Sequence, residues 1–369
     1  MLNSISDLKN ILNDKHFKRI FVLCGKNSFS SSGAKFCFNE IPRNKVIKYY
    51  YKENDLPEIN ELILIIKELK KFKADLILAI GGGAIIDYAK IANVVDLKSD
   101  LKNLIKNYSY PFKKKLTKLI AIPTTAGSGA EVTSNAVIYL NKIKYSFESE
   151  LLIPDSYLLI PEFLMSGSKK IKASAGFDAI AQALESLISK KSNLKSVEYA
   201  TNSLNISLNS YVSFALDSNI KNASEMCLAA NLAGKAINIS KTTTPHAVSY
   251  PFSSLYSLSH GHAVSLFFES FFRYNFENLN RSDASFNLKE RYRTIFTIFK
   301  VKNINEFNLK IYNFKKKAGL NSSLKELNID FLNNSEKILS GINPLRLGNN
   351  PVPISREEIF KIISKNKNS

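Results

Sequence analysis

The chain has 369 residues, of which 45% are hydrophobic and 22% charged, with a formal net charge of +19. That length exceeds what one hydrophobic core usually organises, so two domains are expected, and the composition argues against wholesale disorder. No run of about 18 uninterrupted apolar residues is present and the first residues, MLNSISDLKNILNDKHFKR, lack the apolar centre of a signal peptide, so no membrane span and a cytoplasmic address are expected.

The positive charge comes mostly from lysines spread along the chain, which reads as a solvated surface. A nucleic-acid partner would call for a basic stripe with interleaved aromatics, and none is visible. Cys24, Cys37 and Cys227 are scattered, with no CxxC, and read as unreactive thiols.

In chain order, the first 160 residues alternate strand and helix patterns. Arg19–Cys24, Lys45–Tyr51, Ala74–Ile80 and Lys118–Ile122 are short and apolar, as strands buried on both faces tend to be. Between the second and third, Glu58–Phe72 repeats its apolar positions at helical spacing. This alternation predicts a parallel sheet whose ligands sit beyond the carboxyl ends of its strands. From about Pro161 the pattern turns helical, with helices expected over Ala175–Ser189, Ser196–Asp217, Asn222–Ile239 and Leu288–Phe299, and a fraying tail over Lys361–Ser369. The expected organisation is an α/β nucleotide-binding domain over residues 1–162 and an all-α metal and substrate domain over 163–369.

Two turns carry phosphate chemistry. Gly81-Gly82-Gly83 follows the third strand and opens a helix near Ala84, so bare backbone and free N–H groups can approach a pyrophosphate. Thr124-Thr125-Ala126-Gly127-Ser128-Gly129 follows the fourth strand and makes a second wall. The spacing is not that of the GxGxxG turn, so the residues alone imply a phosphate-bearing ligand.

The helical half concentrates metal ligands. Three of the four histidines, His246, His260 and His262, fall in one short segment, and Asp178 and Gln182 stand at i, i+4 on one helix face. Carboxylate plus imidazole suits Fe2+ or Zn2+.

Together these stretches resemble the iron-containing (group III) alcohol dehydrogenases. GGGAIIDYAK resembles their GGGSxxDxAK, IPTTAGSGAEVTSNAVIY their PTTAGTGSE, AGFDAIAQALES their AGxDALxHAxE, and the histidine segment their HAxAHPL and PHG. The resemblance implies a dehydroquinate synthase-like architecture, a nicotinamide cofactor, a divalent metal, a small aldehyde or alcohol as partner, and a homodimer or larger assembly. It assigns Gly81, Gly82, Gly83, Thr124, Thr125 and Ser128 to the cofactor, with Asp87 and Lys90 near the same turn. Asp178, His246 and His260 fall on metal-ligand positions. The fourth, a histidine in the family, is Gln182 here, which leaves open weak binding, three ligands with solvent, or a harder ion. Tyr250 stands where the family often has a second histidine near the nicotinamide. Tyr250 or His262 is expected to stand in as a proton relay, with a relay through water as the alternative.

No carboxylate follows the first strand, whereas Gly25, Lys26 and Ser28 are suited to a ribose 2′-phosphate; NADP(H) is therefore expected over NAD(H). Three stretches further resemble phosphonoacetaldehyde reductases: KYSFESELLIPD, the paired TTTPHAVSYP and SHGHA, and NPLRLGNNPVPISREEI. That branch reduces phosphonoacetaldehyde to 2-hydroxyethylphosphonate, and Arg346, Lys144 and Ser149 are the candidate groups for its anionic substrate, Lys144 also for catalysis. The competing readings are a generic short-chain alcohol dehydrogenase, a non-redox dehydroquinate synthase-like enzyme and a degenerate binding protein.

Overall fold

The computed structural model describes residues 1–54, 56–96, 100–107, 112, 114–320 and 323–365. The chain divides into two compact units, Met1–Gly167 with Asn219–Leu228, and Ser168–Ser218 with Ala229–Ser369. The stretch Asn219–Leu228 differs from the simple division at residue 162. Its Cys227 is buried within the field of Glu131 and Glu162, which belong to the first unit.

The first unit is built on a five-stranded parallel sheet. Its strands are β1 (Arg19–Gly25), β2 (Val46–Lys52), β3 (Leu76–Gly81), β4 (Lys118–Pro123) and, after a hairpin of β5 (Asn135–Leu140) and β6 (Ile143–Glu148), the short β7 (Ser156–Tyr157). The sheet order is β2-β1-β3-β4-β7. Every residue from Ile20 to Cys24 and from Leu76 to Ile80 is buried, so the central strands are covered on both faces as their apolar runs imply. Strand β2 departs from that expectation. It lies at the sheet edge and is only half-buried, with Tyr49 and Tyr51 stacked on each other and tilted against Phe29.

The expected helix over Glu58–Phe72 forms as Ile59–Phe72 and packs its apolar stripe, including Leu62, Ile66 and Leu69, into the core beside the sheet. The hairpin was not anticipated. Its two-residue turn places Asn141 and Lys142 at φ of 52° and 64°, the left-handed pair that suits the twist of adjoining antiparallel strands.

The second unit is helical. Its centre is the helix Lys169–Ile188, which starts six residues before the expected Ala175 because Ser168 accepts a hydrogen bond from Ile171 N. From Lys172 to Ile188 nearly every residue of this helix is buried. Around it lie Leu194–Leu216, the later turns of Ile220–Ser240, Thr244–Tyr256, His260–Ser265, Phe268–Glu277, Leu288–Phe299 and Ile304–Ala318. Phe268, Phe272, Tyr292 and Phe307 join these helices through stacked and edge-on ring contacts.

The expected fraying tail is ordered as far as Lys365. Helix Arg356–Lys365 buries Ile359 and Ile363 in a cluster with Val248 and Phe331, and residues 366–369 lie outside the described residues. None of the described helices is long and apolar enough to cross a membrane.

Candidate active site: a nucleotide cradle and a metal triad

Parallel register places three loops side by side at the carboxyl ends of adjacent strands. Cys24 pairs with Ile80 and Gly81 with Pro123, so Gly25–Ser28, Gly81–Gly83 and Thr124–Ser128 form a continuous rim. Gly82 caps the helix Gly83–Ala92 in extended backbone (φ −75°, ψ −179°), which any residue adopts. What demands glycine here is space. A Cβ on Gly81 would meet Ile85 Cγ1 at 2.5 Å, and one on Gly83 would meet Ser128 Oγ at 2.6 Å. The two turns therefore pack on each other, tied further by Thr124 N donating to Gly81 O at 3.0 Å. The helix opening at Gly83 directs its free N–H groups toward the same rim, the arrangement that accepts a pyrophosphate.

At the end of β1, Lys26 is exposed on the first turn of the helix Lys26–Ser31 and has no carboxylate partner among the described residues. Ser28 Oγ folds back onto Gly25 O at 3.4 Å, into space that a Cβ on residue 25 would need.

In the second unit, Asp178, His246 and His260 converge, each offering one ligand atom, all within 4.8 Å of one another. Asp178 comes from the central helix, His246 from Thr244–Tyr256 and His260 from the start of His260–Ser265. His246 Nε2 lies 3.2 Å and His260 Nε2 3.9 Å from Asp178 Oδ1. Behind His246 stands Glu185, wholly buried, whose carboxylate accepts from His246 Nδ1 at 2.5 Å and from Thr243 N and Oγ1 at 2.6 and 2.8 Å. With the Nδ1 proton held by Glu185, the tautomer a bound metal would require is the one with its lone pair on Nε2, the nitrogen that faces Asp178 and His260. Burial disfavours the imidazolium, but Glu185 and Asp178 outweigh it and raise His246 to about 9 when no ion is bound.

Two features bring His260 to this place. Ser174, one turn before Asp178, accepts hydrogen bonds from His262 N at 3.0 Å and from Ser259 Oγ at 2.8 Å. Gly261 lets the two helix backbones touch, since a Cβ there would lie 2.0 Å from Ser174 O. Gln182 completes the picture. It is 3% exposed, one turn after Asp178, and its Oε1 is buried without a hydrogen-bond partner among the described residues. The two imidazole nitrogens and the carboxylate of the cluster fit a divalent metal, with an orphaned amide oxygen on the same helix face as Asp178.

Two family models match the chain. The model described as iron-containing alcohol dehydrogenase matches residues 2–161, and the model for the C-terminal part of the Fe-containing alcohol dehydrogenase family matches residues 172–367. The chain belongs to the iron-containing alcohol dehydrogenase family.

Among curated relatives of this family member, a 4-hydroxybutyrate dehydrogenase of Clostridium kluyveri is 30% identical over 224 residues, 58% of each chain. A phosphonoacetaldehyde reductase of Streptomyces viridochromogenes is 28% identical over 219 residues, 57% of this chain and 55% of that one. The matched stretches thus span little more than half the length of these relatives. A crystal structure of a sulfoacetaldehyde reductase from Bifidobacterium kashiwanohense in complex with NAD+ shares the fold, with a TM-score of 0.87, 24% identity and coverage of 100% of this chain and 96% of that one.

The remaining expected residues separate into two groups. Tyr250 lies beside His260, and Arg346 bears on Tyr250. The Tyr250 ring lies 5.8 Å from His260, centroid to centroid, and burial pushes its phenol up while the Arg346 charge and hydrogen bond draw it back down. Arg346 is half-buried on the short helix Pro344–Leu347 and has no carboxylate partner among the described residues. Asn343 caps this helix by accepting from Arg346 N at 3.0 Å, and Asn349 Nδ2 donates to Ser240 O and Thr242 O at 2.9 Å. Asn343 N also donates to Ala247 O at 3.5 Å, and this bond with those of Asn349 fastens the Arg346 segment to the chain around His246.

The other group makes contacts within the fold. Lys90 is wholly buried and donates to Ala130 O, Thr133 Oγ1 and Asn135 O at 3.0, 3.1 and 2.6 Å, so all three ammonium protons are engaged by protein oxygens. Asp87 accepts from Val137 N at 3.0 Å; burial raises its carboxyl, opposed by Lys90, that hydrogen bond and Lys144. Lys144 lies on the hairpin opposite Tyr139, and Ser149 accepts from Leu151 N at 3.2 Å to cap a 3-10 turn. His262 is buried two residues beyond His260, about 200° further round the helix, and stands outside the metal cluster. Of the two relay candidates, Tyr250 is the one beside His260.

Glu185 lies within the AGFDAIAQALES motif, yet the motif by itself gives it no task. A signal is present all the same: Asp178, Gln182 and Glu185 stand at i, i+4 and i+7, one stripe of one helix.

Proposed function

We propose that this chain reduces a small anionic aldehyde to its primary alcohol with NADPH, and that phosphonoacetaldehyde is the substrate, giving 2-hydroxyethylphosphonate. The observation that carries this reading is Arg346, a half-buried guanidinium without an acidic partner among the described residues, bearing on Tyr250 beside the metal-triad residue His260. A half-buried cation held in place by a capped helix serves an anion better than it serves the fold. The names of two curated relatives, a phosphonoacetaldehyde reductase and a 4-hydroxybutyrate dehydrogenase, concern compounds that carry an anionic group at the far end of a short chain, which supports the same reading.

The overall change is hydride plus proton added across a carbonyl, with NADPH oxidised to NADP+. When bound, a divalent metal supplies Lewis acidity toward the carbonyl oxygen and the nicotinamide supplies the hydride. The protein's share is position. The loops at Gly81–Gly83 and Thr124–Ser128 hold the dinucleotide phosphates, and Lys26 reads a ribose 2′-phosphate. Asp178, His246 and His260 hold the ion, with His246 kept in the required tautomer by Glu185. Arg346 fixes the anionic end of the substrate, and Tyr250 gives the proton to the product oxygen.

NADPH oxidation by metal-assayed protein, with phosphonoacetaldehyde beside acetaldehyde, butanal and lactaldehyde, tests this. Phosphonoacetaldehyde should be preferred, and Arg346→Ala should lower kcat/KM for it by about 100-fold, the loss of a charged hydrogen-bonded pair worth about 3 kcal/mol, while hardly affecting acetaldehyde. Equal use of the uncharged aldehydes would discard the anionic substrate and leave a generic alcohol dehydrogenase.

A further inference from the structure

The family position that carries imidazole is Gln182 here, and its surroundings are informative. Asp178 and Gln182 are four residues apart on the central helix, so their side chains project from one face. Both are nearly fully buried, and Oε1 of Gln182 has no hydrogen-bond partner among the described residues. Buried amide oxygens are almost always paired, because leaving one unpaired forfeits its bond to water with nothing in return. A side chain that merely filled this space would be apolar, like its helix neighbours Ala179, Ala181 and Ala183.

We propose that Oε1 of Gln182 is the fourth protein ligand and that it retunes the ion this site prefers. The donor set becomes two imidazole nitrogens, one carboxylate oxygen and one neutral amide oxygen, in place of three nitrogens and one oxygen. Zinc gains more from an imidazole donor than manganese does, whereas carbonyl and carboxylate oxygens suit the harder ion. Exchanging nitrogen for oxygen therefore narrows the advantage of Zn2+ over Mn2+. The inference rests on the reading of Asp178, His246 and His260 as metal ligands.

The test is anaerobic calorimetric titration of the full chain, stripped with a chelator, with Mn2+ and separately with Zn2+. Wild type, Gln182→His, Gln182→Ala and His246→Ala are compared after circular dichroism has shown that each is folded. Gln182→His should tighten Zn2+ by about tenfold or more and Mn2+ by less than about threefold. Gln182→Ala should weaken Mn2+ by about tenfold, as loss of a direct donor does at least as much as loss of a supporting one. The cobalt-loaded protein gives a second readout, because replacing oxygen by nitrogen in Gln182→His should move its visible absorption bands. An unchanged Zn2+ to Mn2+ ratio and unmoved cobalt bands in the Gln182 variants, with binding lost in His246→Ala, overturn the amide ligand alone. Absence of binding by wild type overturns the metal reading and this inference together.

Discussion

Replacing Glu185 by Gln isolates the support of the metal triad from the triad itself. The side chain keeps its size in a site that is wholly buried, but one of its two acceptor atoms becomes an NH2 donor. Glu185 receives three protons, from His246 Nδ1, Thr243 N and Thr243 Oγ1. A glutamine amide in its place cannot accept all three. If the amide oxygen stays with Thr243, the NH2 group donates to His246 Nδ1 and drives the imidazole proton onto Nε2, the atom that must ligate the ion. If the oxygen stays with His246, Thr243 N–H loses its acceptor in a buried place. Either arrangement forfeits a charge-assisted bond, a cost of about 1.5–3 kcal/mol in stability. Zn2+ affinity should fall by about 10–100-fold, the range for removing such a supporting group. Loss of the Glu185 charge should also lower His246 from about 9, because that charge is the leading influence opposing burial. Equilibrium dialysis with Zn2+, thermal melts and His246 titration by NMR give the three readouts. Zn2+ affinity within about twofold of wild type in folded protein would refute the tautomer argument.

Gly261→Ala would force a Cβ to within 2.0 Å of Ser174 O and 2.8 Å of Asp178 Cβ, so the His260 helix must move away. A stability loss of about 1–3 kcal/mol in chemical denaturation is expected, with weaker metal uptake; wild-type values for both would contradict the backbone-contact argument. Lys26→Ala should raise the Kd for NADPH by about tenfold, roughly 1.4 kcal/mol, and leave NADH nearly unchanged; equal losses would remove the 2′-phosphate assignment. Arg281 donates to Glu358 at 2.8 Å and, with Ser355 N, holds that carboxyl down at about 2 despite the opposing effect of burial. A depressed carboxyl stabilises the fold above its unfolded value and stops doing so as pH falls through its folded one. Arg281→Ala should therefore destabilise the fold slightly at neutral pH, given how exposed the pair is, with the difference from wild type closing as pH falls from about 4.5 to about 2. A difference that persists at pH 2 would show that packing, not charge, is responsible.

Local chemistry was legible in the sequence wherever pattern and spacing act within one element. The runs Arg19–Cys24, Ala74–Ile80 and Lys118–Ile122 announce buried parallel strands because a strand covered on both faces must be apolar throughout. Clustering of three of the four histidines in one segment draws attention to that stretch, and the family resemblance singles out Asp178, His246 and His260. The hairpin of β5 and β6 was missed because its turn, Asn141-Lys142, lacks the glycine that usually marks a two-residue hairpin.

Tertiary structure decided what depends on approach between distant segments. Lys90 sits in a cofactor motif, yet only the fold brings Ala130, Thr133 and Asn135 to its ammonium and makes it an internal tie. Gly81 and Gly83 look like residues for bending a chain, but neighbouring side chains at 2.5 and 2.6 Å are what exclude a larger residue. Arg346 stands in the sequence as a candidate for an anionic group, but only the fold ties its segment to the chain around His246, through Asn343 N to Ala247 O and Asn349 Nδ2 to Ser240 O and Thr242 O, and sets it on Tyr250. Spacing along the chain determines which side chains share a face, and only the packing of backbones determines which faces meet.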